Sequence, residues 1–157
     1  IGGRLCCSGQ IPPGPADQRP NEKRPDVLTY SSPTLSRDVE VTGFIRLKLY
    51  AESSAVDTDF TAALVDVEPS GYARLLTDGI VRARYRRSTV QAERIEPGRV
   101  YQYDIDLWAT SNVFKAGHRI RLYISSSNFP RFNRNLNIEF QQTVIAQMLD
   151  RLRGGVG

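Results

Sequence analysis

The chain has 157 residues, a length typical of one domain with room for a full hydrophobic core. Its 40% hydrophobic and 24% charged residues are typical of a soluble globular protein. We expect no membrane partner, because no apolar run is long enough to cross a bilayer and no stretch resembles a signal peptide.

The first 25 residues are predicted to form an extended arm rather than a helix or a central strand. Prolines are concentrated between Gly9 and Pro25, and proline fixes the backbone and removes a hydrogen-bond donor. Cys6 and Cys7 are adjacent, a spacing that strains a disulfide ring and matches no zinc pattern. We therefore expect free thiols and a cytoplasmic location.

Residues 26–137 have the pattern of an antiparallel β-sheet protein. From Glu40 to Tyr50, apolar and polar residues alternate, which predicts a strand with one face in solvent. The segment from Asp59 to Val67 is more uniformly apolar, which predicts a strand buried on both faces. A turn is predicted next, at 68–71.

Further strands are predicted towards the middle of the chain. The tripeptide at 77–79, Thr-Asp-Gly, is a hairpin-like turn signal between strands at 73–76 and 80–86. Alternation predicts two more strands, at 101–107 and 119–124, each preceded by a turn containing glycine. Several short strands separated by glycine and proline turns favour an all-β fold, an antiparallel jelly-roll sandwich.

Residues 138–157 change from a strand pattern to a helix pattern. Apolar residues recur at helical spacing from Phe140 to Leu152, and Gly154 and Gly155 follow. This pattern predicts a short amphipathic C-terminal helix over 139–153 that docks on its own domain.

No combination of residues is typical of a catalytic or metal site. The Gly-x-Ser-x-Gly elbow is absent, and His118, the only histidine, lies about 20 Å along a predicted strand from the serines at 125–127. Asp57 and Asp59 lack the glycine and the distal glutamate of a calcium loop. We predict no catalytic residue, metal or cofactor. The carboxylates Asp57, Asp59, Asp66 and Asp78 are expected to cap turns or to pair with Arg82, Arg84 or Arg86.

The basic run from Arg82 to Arg87 is the segment to test for nucleic-acid binding. On a strand its alternate arginines share one face, while Tyr85 points to the core, whereas a base-stacking surface needs aromatic rings among the cations. We predict no nucleic-acid partner and an arginine face that is exposed or docked against acidic residues.

Phe129, Pro130 and Phe132 form an apolar loop after the last predicted strand. Such a loop either folds back onto the core or reaches across an interface. The flanking Arg131 and Arg134 suit the rim of an interface. We therefore take Phe129, Phe132, Arg131 and Arg134 as candidates for an interdomain contact.

Several blocks of the chain resemble, in order, the C-terminal domain of one family of serine hydrolases. That family, called CocE/NonD, groups cocaine esterase, α-amino-acid ester hydrolases and X-Pro dipeptidyl-peptidases. The most informative block is 109–135, which contains Ala-Gly-His-Arg-Ile-Arg-Leu-Tyr-Ile-Ser-Ser-Ser-Asn-Phe-Pro-Arg-Phe-Asn-Arg-Asn. The other blocks are 14–20, 24–28, 54–62, 64–67 and 78–86.

The resemblance implies a galactose-binding-like jelly roll over 26–137 that follows an α/β-hydrolase domain. In the family the catalytic triad lies in that α/β-hydrolase domain. The resemblance therefore implies this domain as the partner of the chain and a bacterial cytoplasm as its location. Leu49 and Tyr50 match a leucine–aromatic pair that walls part of the acyl pocket in esterase relatives. After Asn137 the chain departs from the pattern, because the family continues to a final strand; the loss of that strand would expose a sheet edge.

Two other functions are weighed against that of an accessory domain. A carbohydrate-binding module would need exposed aromatic residues on one sheet face, and the candidates are Tyr50, Tyr101, Tyr103, Trp108 and Tyr123. A self-associating domain would form a homo-oligomer through the uncovered edge or the C-terminal helix.

Overall fold

The computed structural model describes residues 14–137, so Cys6, Cys7 and the helix predicted over 139–153 lie outside the described residues. The strands are β1 Leu28–Ser31, β2 Val39–Ala51, β3 Asp59–Val67, β4 Ala73–Arg82, β5 Tyr101–Phe114 and β6 Arg119–Ser125. One sheet has the strand order β1-β6-β3-β4 and the other pairs β2 with β5.

The two sheets form an antiparallel β-sandwich, which confirms the predicted fold class. All strand pairs are antiparallel. Every connection except the one between β3 and β4 passes from one sheet to the other. No helix within the described range 14–137 has the length and apolar character needed to cross a membrane.

The alternation in β2 and the uniform burial of β3 were both predicted correctly. Along β2 the half-buried positions include Val41, Ile45 and Leu47, and the residues between them are exposed. In β3 every residue except Phe60 is buried. The difference arises because apolar clusters cover both faces of β3, with Leu64 in one cluster and Val65 in the other, whereas alternate residues of β2 are exposed.

The hairpin predicted at 77–79 is wrong, because Ala73–Arg82 is one strand that passes straight through it. The Thr77 hydroxyl donates to the carbonyl of Leu107 on the opposite sheet. Gly79 is needed for close approach rather than for a turn: a Cβ there would lie 2.0 Å from the carbonyl oxygen of Asp106. The turn signal was therefore misleading, since these residues serve contacts between strands.

The strand expected to run on to Arg86 ends earlier, at Arg82. A 3-10 turn over Ala83–Tyr85 replaces it, so the predicted alternation of arginines along a strand is wrong. Tyr85 is half-buried rather than a core residue. The change of geometry lets the backbone N–H of Arg84 donate to the Asp57 carboxylate at 3.0 Å.

The core lies between the two sheets, and a second apolar layer covers the far side of the larger one. Phe114, Ile105 and Leu107 of β5 meet β3 and β6 in the main core. On the far side, Tyr123 and Val65 belong to a separate cluster that Val27 also contacts.

The N-terminal segment that covers this far side contains a short helix, contrary to the extended arm predicted for residues 1–25. The helix is α1, Arg19–Glu22, and Pro20 lies in its first turn, where a missing N–H costs nothing. Glu22 accepts hydrogen bonds from Tyr123 and, at 2.6 Å, from Arg121. Strand β1 was not predicted, and all four of its residues are exposed.

The substitution Gly79→Ala is expected to lower the free energy of unfolding by about 3 kcal/mol or more, because the added methyl group meets a backbone oxygen that cannot move alone. Urea unfolding of the chain measures the effect. Gly98→Ala is the matched control: a Cβ at Gly98 meets nothing within 4 Å, and its φ of +77° leaves a cost of only about 1 kcal/mol. Equal losses for the two variants would contradict the close-contact explanation.

Candidate interdomain surface

The sequence-predicted candidates lie at one end of the sandwich, which we call the loop end. It is formed by the strand termini Ala51, Asp59, Arg82, Tyr101 and Ser125, which the strand pairing brings together. The loops at this end also bond to each other: the N–H of Ile95 donates to Val56 at 3.1 Å, and that of Gly98 to Ser53 at 2.9 Å.

Three buried carboxylates, Asp57, Asp59 and Asp78, organise the loop end. Asp78 is fully buried, and Asp57 and Asp59 are at most 5% exposed. Asp78 lies opposite Ala63, whose side chain belongs to the cluster on the far side of the larger sheet. Directly paired residues share a face, so the Asp78 carboxylate lies on that face, away from β2 and β5.

These carboxylates hold the loop that follows β6, residues 126–137. The Asn128 amide donates to Asp78 at 2.7 Å, and Arg131 forms an ion pair with the same carboxylate. Farther along, the Asn135 amide donates to Asp57 at 3.0 Å and to Asp59 at 2.9 Å. Sequence reasoning missed both asparagines, because partners at least fifty residues away leave no local signal.

The arginines of the basic run pair with acidic residues of the same chain. Of the two predicted outcomes, an exposed arginine face and one docked against acidic residues, this is the second. Arg82 binds Asp59 through two hydrogen bonds, at 2.8 and 3.1 Å. Arg84 lies 3.5 Å from Asp57. The bond to Asp59 raises the pKa of the Arg82 guanidinium.

Arg86 instead pairs with Glu93, which the sequence did not predict, at 2.7 Å. Its guanidinium lies 4.5 Å from the centre of the Tyr101 ring. With Arg82, Arg84 and Arg86 all paired, this part of the surface offers little unpaired positive charge to a nucleic-acid backbone.

The loop presents aromatic side chains backed by arginines. Phe129 is 39% exposed, and the Arg134 guanidinium lies 4.6 Å from the centre of its ring. Phe132 is half-buried, with the guanidinium of Arg131 at 5.3 Å. Because Arg131 is also tied to Asp78, the loop is fixed at its middle while Phe129 remains accessible.

Leu49 and Tyr50 lie at the same end but on the other sheet. The Leu49 side chain packs against the main core and against a smaller cluster that contains Tyr103 and Ile95. Tyr50 is 66% exposed, and its hydroxyl donates to Gln102 at 3.0 Å. The candidates therefore share an end of the sandwich, although they lie on opposite faces of it.

The smaller cluster contains a buried phenol that sequence reasoning missed. The Tyr103 side chain is fully buried, and burial raises the pKa of its hydroxyl. That hydroxyl has no hydrogen-bond partner within the part of the chain that the structure describes. The alternation of β5 indicates that Tyr103 faces inward, but it gives no sign of an unpaired hydroxyl.

The remaining candidates are His118 and the aromatic residues considered for carbohydrate binding. His118 Nδ1 lies 2.8 Å from an oxygen of the buried Asp66, far along the larger sheet from the loop end. Of the aromatic candidates for carbohydrate binding, Tyr103 and Tyr123 are fully buried, whereas Tyr50 and Trp108 are exposed. An aromatic platform built from all five residues is therefore excluded.

Comparison with known proteins gives consistent matches over this fold. The family described as X-Pro dipeptidyl-peptidase C-terminal non-catalytic domain matches residues 9–148. Cocaine esterase of Rhodococcus sp. (strain MB1 Bresler) is 58% identical over 124 residues, which cover 79% of this chain and 22% of the esterase.

Solved structures also match this chain over only part of their own length. An aminopeptidase from the marine sediment archaeon Thaumarchaeota archaeon superposes with a TM-score of 0.78 at 32% identity, over 81% of this chain and 22% of that one. An α-amino acid ester hydrolase superposes with a TM-score of 0.70 at 26% identity, over the same shares. The chain thus spans about a fifth of the length of these relatives.

The substitution Asp78→Ala is expected to lower the free energy of unfolding by about 3 kcal/mol, because it leaves Arg131 and Asn128 without their buried partner. Trypsin should then cut at Arg131 and Arg134 much faster than in the parent chain. Asp38→Ala is the control, since the Asp38–Lys115 pair is exposed and its loss should change the free energy of unfolding much less than the loss of Asp78. Unchanged trypsin resistance in Asp78→Ala would show that the ion pair does not hold the loop.

Proposed function

The chain belongs to the X-Pro dipeptidyl-peptidase C-terminal non-catalytic domain family, and from this we propose that it serves as the accessory domain of a larger serine hydrolase. Its task would be to stabilise an α/β-hydrolase domain and to help shape the entrance for the substrate. The observation that carries the proposal is the family match over residues 9–148, together with 58% identity to cocaine esterase.

The catalytic chemistry would belong to the rest of the hydrolase. The relatives named an esterase, an aminopeptidase and an ester hydrolase are about five times as long as the matched region. Their names share the cleavage of an acyl bond to oxygen or nitrogen. We propose the same class for the parent of this chain: attack on an ester or amide carbonyl through an acyl-enzyme, with oxyanion stabilisation.

The loop end would contact the catalytic domain through the loop at 126–137. Phe129 supplies an exposed apolar ring and Arg134 a cation beside it, the combination of apolar centre and polar rim found at protein interfaces. The hydrogen bonds that Asp57, Asp59 and Asp78 accept from this loop hold it in place before any contact forms. Little conformational entropy would therefore be lost on docking.

Leu49 and Tyr50 would form part of the pocket wall. Leu49 is fixed by packing on two sides, which holds the neighbouring Tyr50 at the end of strand β2. The Tyr50 ring is exposed and its hydroxyl is tied to Gln102, so it could present a flat, oriented face to an acyl group. A cytoplasmic location remains part of the proposal.

The 157-residue chain alone should hydrolyse no p-nitrophenyl ester, because its sequence lacks a Gly-x-Ser-x-Gly elbow and its family is described as non-catalytic. The measurement is the initial rate after repurification, with a serine-reactive probe as a control for contaminating hydrolases. A rate that survives both steps would refute the non-catalytic assignment. Sequencing of the coding DNA upstream of Ile1 tests the other half of the proposal, since an in-frame α/β-hydrolase with a Gly-x-Ser-x-Gly elbow is expected there.

A chimeric enzyme can test separately the proposed pocket residues Leu49 and Tyr50 and the proposed interdomain loop at 126–137. In the Rhodococcus cocaine esterase, the matching 124 residues would be replaced by those of this chain. Tyr50→Ala should then raise KM roughly tenfold, because an aromatic contact to the acyl group is lost. Phe129→Ser should instead lower Tm with little change in KM, because it weakens the contact between domains.

Tyr72→Ala is the matched control for both variants. Tyr72 follows the turn at the opposite end of the sandwich, where its hydroxyl bonds to the Pro15 carbonyl at 3.2 Å. It should leave KM unchanged. If Tyr50→Ala behaves like Tyr72→Ala, the pocket-lining role is wrong while the accessory role stands.

A further inference from the structure

The hydrophobic core is closed along one side of the sandwich and open along the other. On the closed side β4 lies against β5, and the inward-facing Ile105 and Leu107 of β5 are at most 1% exposed. On the other side, the inward-facing apolar residues of β2, from Val41 to Leu49, pack against the same core but are only half-buried. Within the described range 14–137, the core beside β2 therefore lacks a full cover.

Strand β1 widens this opening. Leu28 pairs with Ile124 and Tyr30 pairs with Leu122, and both partners contribute to the main core. Directly paired residues share a face of a sheet, so Leu28 and Tyr30 point to the inner side of the larger sheet. They are nevertheless 55% and 58% exposed. The larger sheet has four strands and the smaller one two, so β1 extends beyond the strands that could cover it.

The surface beside β2, which we call the open flank, is lined by inward-facing apolar residues of three strands. They are Leu28 and Tyr30 of β1, Ile120 and Leu122 of β6, and Val41 and Ile45 of β2. At the end opposite the loop end, the link between β1 and β2 crosses from one sheet to the other. There Leu35 packs on the main core, and its N–H donates to the His118 carbonyl at 2.9 Å. The opening is therefore widest towards the loop end.

From these observations we propose that residues 139–153 pack against the open flank as the amphipathic helix that their sequence predicts. The apolar residues of this segment recur at intervals of three or four and form one stripe: Phe140, Val144, Ile145, Met148, Leu149 and Leu152. That stripe would complete the core beside β2. The opposite side of the helix, with Thr143, Gln147 and Asp150, would face solvent.

The dimensions of the segment fit those of the open flank. Fifteen helical residues extend about 22 Å at about 1.5 Å per residue. Strand β6, with 7 residues, extends about 23 Å at about 3.3 Å per residue. A helix about 10 Å wide covers two strands that lie about 4.8 Å apart, here β1 and β6. The helix would thus supply the part of the second layer that the smaller sheet does not reach.

The end of the described chain lies within reach of the open flank. The Asn135 amide donates to Asp59, the first residue of β3, and two strand spacings, about 10 Å, separate β3 from β1. The four residues from Asn135 to Glu139 can span about 13 Å. The helix would therefore enter beside Leu28 and run along β1 towards Ser31. The inference uses a different surface from the loop end and does not depend on the proposed function.

Cysteine cross-linking of the full 157-residue chain tests where the segment docks. In a C6S/C7S background, Tyr30→Cys is combined in turn with Val144→Cys, Ile145→Cys and Met148→Cys. Tyr30 and Val144 each lie about 7 Å beyond the point of entry, along β1 and along the helix respectively. Under mild oxidation, a disulfide within one chain should therefore form with at least one of the three, as peptide mass spectrometry would show.

Thr29→Cys is the matched control for the cross-link. Thr29 adjoins Tyr30 and is also exposed, but it pairs with Tyr123 and so faces the other side of the larger sheet. Its disulfides with the same three cysteines should form far less. Equal yields from positions 29 and 30, or no disulfide from position 30, would overturn the proposal.

Thermal unfolding tests whether the contact is apolar. Ile145→Glu should lower Tm by about 5 °C or more, because it places a charge in the stripe. Thr143→Glu is the control on the polar side of the same helix and should leave Tm within about 1 °C. Combined with Tyr30→Ser, Ile145→Glu should lose less than the sum of the two single effects, because the two side chains share one contact region. Equal Tm values for the two glutamate variants would refute the docked stripe.

Other occupants of the open flank would give different results. If the disulfide joins two chains, the segment docks on a second copy and docking within one chain is refuted. If Tyr30→Ser lowers Tm of the chimeric enzyme but not that of the 157-residue chain, the flank contacts the catalytic domain instead. Disulfides that form at alternate residues of the segment, at 142 and 144 but not at 145 or 148, would show a strand added to β2 and would overturn the helix.

Discussion

The close approach of β4 and β5 is the constraint on which the rest of the structure depends. At Gly79 the backbone of β4 lies against the Asp106 carbonyl, and Thr77 donates to the next carbonyl, that of Leu107. Both carbonyl oxygens therefore lie against β4 of the larger sheet. The bulge at Leu107 and Trp108 is the consequence on the other side, since the strand must recover its pairing at Ala109. One contact thus joins the sheets and brings the tryptophan into solvent.

The loop end follows a different principle, because buried charge rather than apolar contact fixes it. Asp57, Asp59 and Asp78 would each be costly to bury alone. They are satisfied only when Asn128, Arg131 and Asn135 are in place together with Arg82 and Arg84. Breaking any one bond leaves a charged or polar group unpaired, which makes the loop a cooperative unit. An apolar anchor could have held the loop, but it would not have fixed its register so narrowly.

The sequence predicted what depends on short-range pattern and missed what depends on contacts across the fold. The alternation of apolar and polar residues predicted β2 and β5, and a more uniformly apolar segment predicted β3, because each pattern lies within one strand. Thr77 and Gly79 were misread as a turn, since their hydrogen-bond partner and their close neighbour lie on β5. Asp57 and Asp59 were correctly expected to pair with arginines, whereas the role of Asn135 as a shared donor could not be read from neighbours. Nor did the sequence indicate that Trp108 would be exposed with a left-handed backbone conformation.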